Sequence, residues 1–426
     1  MKKIVILGNG IAGVQAAITI RQNSEAKILL ISEERSVFFA RTAMMYVFMG
    51  QLSEKDITPY PEAFFKANQI NLLHTSISSV DVPKNILITS DNQAIPYDLL
   101  LIATGSKPNI PDWATSKCPG IHNFYHWQDL TSLKSNIPAS KQPIVIGGGL
   151  IASELVEMME QLNRNPKLLV RESYFGQHFL PKEEGLLVHE VFRQKGISLF
   201  LNTSITSLIP PSEDGTSYTL NTENGQTFST DFIGLGTGVL PNIDFLKDSP
   251  LRLGRGILVN NQMQTNIENI YAAGDCAELN SCLPNRKTIE ANWYVAKSMG
   301  EIAGKNIVGN PTNYQQGIWH NTAKFFNLEY HLCGDVPLKA KDNFGSYFYK
   351  NSKYLHSLRL AFNQSTNQLS GVLSMGLRID YSLLKNWLEE GISIEMTLKN
   401  LPSLSYQNKL GFFPSRNLLK EVKYEY

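Results

Sequence analysis

Residues 4–7 (IVIL) form a continuous apolar run, followed by glycines and a helical segment, GVQAAITIRQ. KILLIS at 27–32 is apolar again. Short unbroken apolar runs alternating with helical stretches predict strands buried on both faces of a parallel sheet. The same order returns further on, with PIVI (143–146), three glycines, a helix from Leu150, then KLLV (167–170). Two segments, DLLLIATGSKPN (98–109) and DFIGLGTGVLPN (231–242), align without a gap, each preceded by a hairpin signal, Asp91-Asn92 and Asn224-Gly225. TNIENIYAAGDCAE (265–278) brings a further strand to Gly274 and Asp275, ahead of a helix in ANWYVAKSMGEIAGKNI. Past 316 the pattern changes to alternating strands, with a turn at Ser365-Thr366-Asn367 and a helix near DYSLLKNWLEE.

The glycines stand where chemistry requires them. Gly8, Gly10 and Gly13 follow a strand and open a helix, and the next strand ends at the acid Glu33. This is the dinucleotide fingerprint in its full strand–turn–helix–strand–acid context. The first glycine permits the turn, the second lets a pyrophosphate approach the backbone, and the third lets helix and strand pack closely. Free N–H groups and the positive end of the helix then face the phosphates. Gly147, Gly149 and Ala152 repeat the plan, but Arg171 and Glu172 follow the second strand where an acid alone is usual. Two homologous nucleotide-binding modules are therefore expected.

Bulk properties narrow the function. A chain of 426 residues is too long for one ordinary core. A net charge of +1 without basic runs points away from nucleic acid and anionic membranes. Cys118, Cys276, Cys282 and Cys333 show no C-x-x-C spacing, so neither a disulfide scaffold nor a metal site is expected. The start, MKKIVILGNGIAG, has the basic-then-apolar look of a signal peptide. However, Gly8, Asn9, Gly10 and Gln15 interrupt the stretch and a strand–turn–helix explains it better. No run of about 18 apolar residues predicts a membrane span, and a cytoplasmic location is expected.

Taken in order, GNGIAG (8–13), YDLLLIATGSKP (97–108), GGGLIASE (147–154), GLGTGVLPN (234–242) and IYAAGD (270–275) resemble the pyridine nucleotide–disulfide oxidoreductase superfamily. The resemblance covers residues 1 to about 310. It implies an α/β fold with two Rossmann-like domains, the second inserted in the first, plus a C-terminal α+β interface-type domain. The boundaries are 1–112 and 245–315 for FAD binding, 113–244 for NAD(P) binding, and 316–426 for the last. FAD would lie on Gly8, Gly10, Ile11, Ala12 and Gly13, with Glu33 on the adenosine ribose and Ile77 nearby. Ala103, Thr104 and Gly105 would close over it, Gly274 and Asp275 would hold the ribityl chain, and Trp293 would line the pyrimidine end. NAD(P)H would lie on Gly147, Gly149, Leu150, Ile151, Ala152 and Gly236, with Arg171 and Glu172 at its ribose. Glu154, the candidate catalytic group, would stand beside the nicotinamide.

Departures from the family pattern steer the function. Where disulfide reductases carry a redox cysteine, this chain has SVFFARTAMMYVFMG, with Arg41 in the arginine position of ferredoxin and rubredoxin reductases and Thr42 where a thiol would be. The lysine of those reductases corresponds to Tyr46, so a Lys–Glu pair from that segment to Glu154 is not available. The resulting expectation is an FAD-dependent enzyme that takes hydride from NAD(P)H and passes electrons to a ferredoxin- or rubredoxin-like carrier protein. Quinone or oxygen is the next choice, and a flavin-based signalling protein is the rival of a different class. Arg171 favours NADPH used at least as well as NADH; Glu172 reverses this if the register differs by one residue. KFFNL and the spacing to Gly334 resemble the opening of the family's interface domain, which often dimerises; a domain serving stability alone is the other reading. His320 and His331 are expected to be structural, FYHWQ (124–128) to be packing, and Lys324 to face either the flavin or solvent.

Overall fold

The computed structural model describes residues 1–114, 118–213, 215–339, 341–405 and 420–422. They form two compact units. The first comprises Met1–Asn109, Tyr125–Thr131 and Val239–Gln316. The second comprises Ile110–Phe124, Ser132–Gly238 and the described residues of Gly317–Tyr426. The tail, which the sequence pattern set apart from about 316, thus groups with the middle of the chain.

In the first unit, five parallel strands lie in the order Ile270–Ala272, Leu99–Ile102, Lys3–Leu7, Lys27–Ser32, Ile70–His74. Their side chains are apolar on both faces because helices cover the sheet, and Ile4, Val5, Ile6, Leu100, Leu101 and Ile102 are all at most 1% exposed. Helix Trp293–Ile307 crosses helix Ile11–Asn23 closely. A Cβ on its Gly300 would stand 2.2 Å from the Ala12 carbonyl oxygen, so only glycine permits the crossing. An antiparallel hairpin sheet (Ile77–Asp81, Ile86–Thr89, Ala94–Pro96) turns at Asn92, whose φ is +62°.

The second unit repeats this design. Its parallel sheet runs Ser198–Phe200, Lys167–Leu169, Pro143–Ile146, Phe232–Leu235, Ile121–Asn123. A matching antiparallel sheet (Ile205–Ile209, Tyr218–Thr222, Thr227–Thr230) turns at Gly225, φ +79°. One difference marks the insertion. The outer strand beside Leu99–Ile102 comes from later in the chain, whereas its counterpart beside Phe232–Leu235 comes from earlier. The tail adds an antiparallel sheet in the order His320–Phe325, Leu328–Gly334, Gln368–Met375, His356–Asn363, Phe344–Asn351, Lys420–Val422. Helix Tyr381–Glu390 follows, with Asp380 as its N-cap.

A buried ion pair ties that sheet to the second parallel-sheet layer. Arg359 and Glu184 both have side chains 0% exposed. The guanidinium donates to Glu184 Oε1 at 2.8 Å and Oε2 at 2.9 Å, to Glu183 at 2.8 Å and to the Ser346 hydroxyl at 3.2 Å. Breaking such a pair from one side leaves a charge with no partner in a dry site, which costs about 3–5 kcal/mol. Arg359→Met is therefore expected to lose stability on that scale in urea unfolding. Arg359→Met/Glu184→Met should recover most of it; a double variant as weak as the single one would assign the loss to packing.

Candidate functional site

The site begins with backbone that has no room for side chains. Gly8 has φ +107°, and a Cβ there would lie 2.1 Å from the Ala103 carbonyl oxygen. Gly147 has φ +140°, and its Cβ would lie 2.2 Å from the Gly236 carbonyl oxygen. Gly8 N–H donates to the Ile31 carbonyl at 2.8 Å and Gly147 N–H to that of Leu169 at 3.0 Å, so the two turns are pinned alike. Gly10 and Gly149 differ from these: a Cβ on either would meet nothing within 4 Å. Both are N-caps of helices (Ile11–Asn23 and Leu150–Gln161) with no side-chain cap and no acid in the first turn. Each turn therefore presents bare N–H groups and a positive helix end to an open cradle, as a pyrophosphate needs.

Around the first cradle, Glu33 is exposed and accepts from the Ser76 hydroxyl at 3.1 Å, which brings it to the start of the Ile77 strand. Thr104 donates to the Asn242 carbonyl at 2.7 Å, and Gly105 has φ +67°. Gly274, φ +81°, turns the chain so that Asp275 accepts from the Ser106 hydroxyl at 3.1 Å. Burial raises the Asp275 carboxyl, against the lowering effects of Ser106 and Arg41. That carboxylate has one protein hydroxyl on one oxygen, which fits a site reserved for ligand hydroxyls. Trp293 packs on Phe38, ring centroids 5.7 Å apart. Its helix is capped by Asn292, whose side chain accepts from the N–H groups of Tyr294 and Val295, so Trp293 has its ring rather than a free helix end to offer.

Arg41 brings in a residue that sequence reasoning missed. It donates to Glu34 at 3.0 and 2.6 Å and to the Tyr125 carbonyl, and its guanidinium lies 4.6 Å over the Tyr125 ring. Burial alone would raise the Glu34 carboxyl. Hydrogen bonds from His126 and Arg41, the Arg41 charge and the Trp127 N–H together hold it down at about 2. The FYHWQ aromatics are thus cation partners as well as packing, with Arg35 4.0 Å over Trp127. The signal was the second acid of SEER, overshadowed by Glu33.

Around the second cradle the strand register sets Arg171 and Glu172 against their counterparts in the first copy. Leu7 pairs with Ile31 just before the first turn, and Ile146 pairs with Leu169 just before the second. Counting on from those pairs, Arg171 stands where Glu33 stands, and Glu172 where Glu34 stands. Their surroundings agree. Arg171 is exposed like Glu33, while Glu172 is largely buried and holds Arg171 and His178, each at 2.7 Å, much as Glu34 holds Arg41 and His126. Burial raises the Glu172 carboxyl and these two partners lower it, with a net fall. Ile151 follows Leu150 in the first helical turn, and a Cβ on Gly236 would meet that of Ala152 at 2.7 Å.

Glu154 lies one turn into that helix. Burial pushes its carboxyl up, the neighbouring Glu157 adds to this and Lys324 opposes it, giving about 7. Lys324 pairs with Glu157, and its side chain is 23% exposed. His320 packs on Tyr381, ring centroids 4.0 Å apart, and His331 lies 3.7 Å from Glu329.

The family model described as pyridine nucleotide-disulphide oxidoreductase matches residues 2–300. The chain belongs to this family. It is an NAD(P)H-dependent flavin oxidoreductase. Among its relatives, an NADH oxidase of Methanocaldococcus jannaschii is 27% identical over 338 residues, 77% of this chain and 75% of that one. An NADH-rubredoxin oxidoreductase of Clostridium acetobutylicum is 27% identical over 335 residues, 78% and 82% of the two chains. A ferredoxin reductase structure from Rhodopseudomonas palustris shares the fold, with a TM-score of 0.84 at 19% identity over 96% of this chain and 99% of that one.

As an oxidoreductase of this family, the chain departs at the thiol. Thr42 is exposed in the short turn Arg41–Ala43. Cys276 is buried, its Sγ directed to the carbonyls of Ile102 and Ala273 at 3.5 Å, and burial pushes the thiol up, away from the reactive thiolate. No group of three metal-ligating side chains occurs among the described residues, and no helix there is long and apolar enough to cross a membrane.

The glycines should separate by role. Gly147→Ala forces a side chain into a positive-φ turn against backbone and is expected to cost at least about 1–3 kcal/mol of stability. Gly149→Ala should fold nearly as well as the parent but bind NAD(P)H at least about tenfold more weakly, because its methyl enters the cradle. Thermal unfolding and coenzyme titration check both. Equal destabilisation by the two would remove the distinction.

Proposed function

We propose that the first turn holds FAD and the second binds NAD(P)H, and that the enzyme carries electrons from the coenzyme to an electron-carrier protein of the rubredoxin or ferredoxin kind. The observation that carries this is the duplicated turn with an open cradle at Gly10 and Gly149. FAD, when bound, supplies the chemistry of accepting two electrons as hydride and releasing them one at a time. The protein's own task is to orient and hold. Glu33 would take the adenosine ribose beside Ile77, Asp275 the ribityl hydroxyls, Ala103–Gly105 the closing strand end, and Trp293 the far end of the ring. Leu150, Ile151 and Ala152 would carry the coenzyme pyrophosphate at the second helix, with Gly236 behind it and Glu154 beside the nicotinamide. With Thr42 at the thiol position, onward transfer needs no protein disulfide. Likeness to the NADH-rubredoxin oxidoreductase of Clostridium favours a carrier protein, and likeness to the NADH oxidase of Methanocaldococcus makes oxygen the second reading.

Extraction should give one FAD per chain, and Asp275→Ala should lower that occupancy by removing a charged hydrogen-bond partner. Anaerobic reduction by NADH or NADPH, then mixing with rubredoxin, ferredoxin, a quinone and oxygen, identifies the acceptor. Turnover above about 1 s⁻¹ with one of them is expected of an enzyme. A protein that neither contains nor accepts FAD would end the proposal.

Coenzyme choice follows from the register. By the register Arg171 corresponds to Glu33 and would face the coenzyme ribose, where an acid would select NADH and a cation tolerates a 2′-phosphate. NADPH is therefore expected to be used at least as well as NADH. Arg171→Ala should reduce kcat/KM for NADPH about tenfold, roughly 1.4 kcal/mol, and leave NADH nearly unchanged. A strong NADH preference indifferent to Arg171→Ala would place Arg171 outside the site and Glu172 in it.

A further inference from the structure

Glu154 and Glu157 lie one turn apart on the helix that opens at Gly149. Both oxygens of the buried Glu157 are taken by the tail: Lys324 Nζ donates to Oε1 and the Phe326 N–H to Oε2 at 3.2 Å. Lys324 is the next-to-last residue of strand His320–Phe325, and Phe326, in the left-handed region at φ +55°, begins the bend to strand Leu328–Gly334. The helix also packs on strands Pro143–Ile146 and Phe232–Leu235, whose sequences PIVI and FIGL carry no charge. On the helix itself, Glu160 is engaged by Lys195 at 3.3 Å, and His320 lies at the far end of the tail strand from Lys324. The charges acting on Glu154 are thus Glu157 and Lys324.

We propose that Lys324, acting through Glu157, is a positioning residue by which the tail governs the charge that Glu154 presents to a bound nicotinamide. This rests on the reading above that the second turn takes NAD(P)H with Glu154 beside the nicotinamide. When hydride leaves C4 of NAD(P)H for the flavin, the nicotinamide ring becomes positive. An ionised Glu154 favours that charge and a protonated one does not; the side chain exchanges no proton in the step. Because Glu154 titrates at about 7, the lysine keeps it partly ionised near neutrality. Without Lys324, the charge of Glu157 would act on Glu154 unopposed and hold it protonated.

Two readouts on the FAD-loaded enzyme test this. One is the ¹³C titration of the Glu154 carboxyl, assigned by its loss in Glu154→Gln. The other is the pH dependence of anaerobic flavin reduction by NADH and NADPH, which should rise through the same titration. Lys324→Met should move both upward by about 1 pH unit, and Glu157→Gln should move both downward. Lys324→Arg should restore the parent profile. If Lys324→Met fails to fold, Glu157→Gln and Lys324→Met/Glu157→Gln carry the test, the latter returning towards the parent. A carboxyl titration unmoved in the variants overturns the proposal. If that titration moves as expected while Glu154→Gln reduces flavin at the parent rate and pH dependence, the placement of Glu154 at the nicotinamide falls instead.

Discussion

The structure depends on one close approach, made twice: the backbone of Gly8 against Ala103 and of Gly147 against Gly236. Neither position has space for a carbon atom beyond the main chain. This contact seats a helix N-terminus against the end of the neighbouring strand and leaves the next residue but one, Gly10 or Gly149, facing open space. An N–H cluster placed that way cannot satisfy itself, because the first turn of a helix has no internal partners for those groups. The fold therefore offers a place suited to an anionic ligand at the same point at which it closes its core.

The two copies solve the packing behind that contact differently. The first has Gly13 on the helix and Ala103 at the strand end; the second has Ala152 on the helix and Gly236 at the strand end. The contacts behind the exchange differ: a Cβ on Gly13 would lie 1.9 Å from the Gly8 carbonyl oxygen, whereas one on Gly236 would meet the Ala152 Cβ at 2.7 Å. The acids after the second strands also differ. Glu34 and Glu172 each pair with an arginine and a histidine, but the arginine on Glu34 is the distant Arg41 whereas that on Glu172 is the preceding residue, Arg171.

Local patterns carried most of the fold in the sequence, since strands, glycine turns and hairpins are set by neighbours within a few residues. Asn92, Gly225 and Asn367 all stand at turns with positive φ where the hairpins were expected. The register at Arg171 was legible only in part, because a strand's last residue cannot be read from apolar runs alone; the pairing of Ile146 with Leu169 supplied what was missing. Long-range ion pairs were not legible at all. Glu157 and Lys324 are 167 residues apart and Arg359 and Glu184 are 175 apart, and nothing local to any of the four marks its partner. The pairing of Lys324 with Glu157 could therefore be read only from the fold of the tail.

These ion pairs also bear on what the tail is for. Its sheet supplies a cation to each of two helices of the second unit, Lys324 to Leu150–Gln161 and Arg359 to Lys182–Gln194. Both carboxylates are buried, and a buried carboxylate without its cation is far more costly than the same group in water. A domain that merely added stability could cover such helices with apolar side chains at less electrostatic cost. Charges that are retained in so expensive a place hold partners to a defined geometry, and one of these helices begins at Gly149 and carries Glu154. On the proposal that Glu154 stands beside the nicotinamide, stability and chemistry would not be alternatives for the tail, because Lys324 holds Glu157 and acts on Glu154 through the same charge.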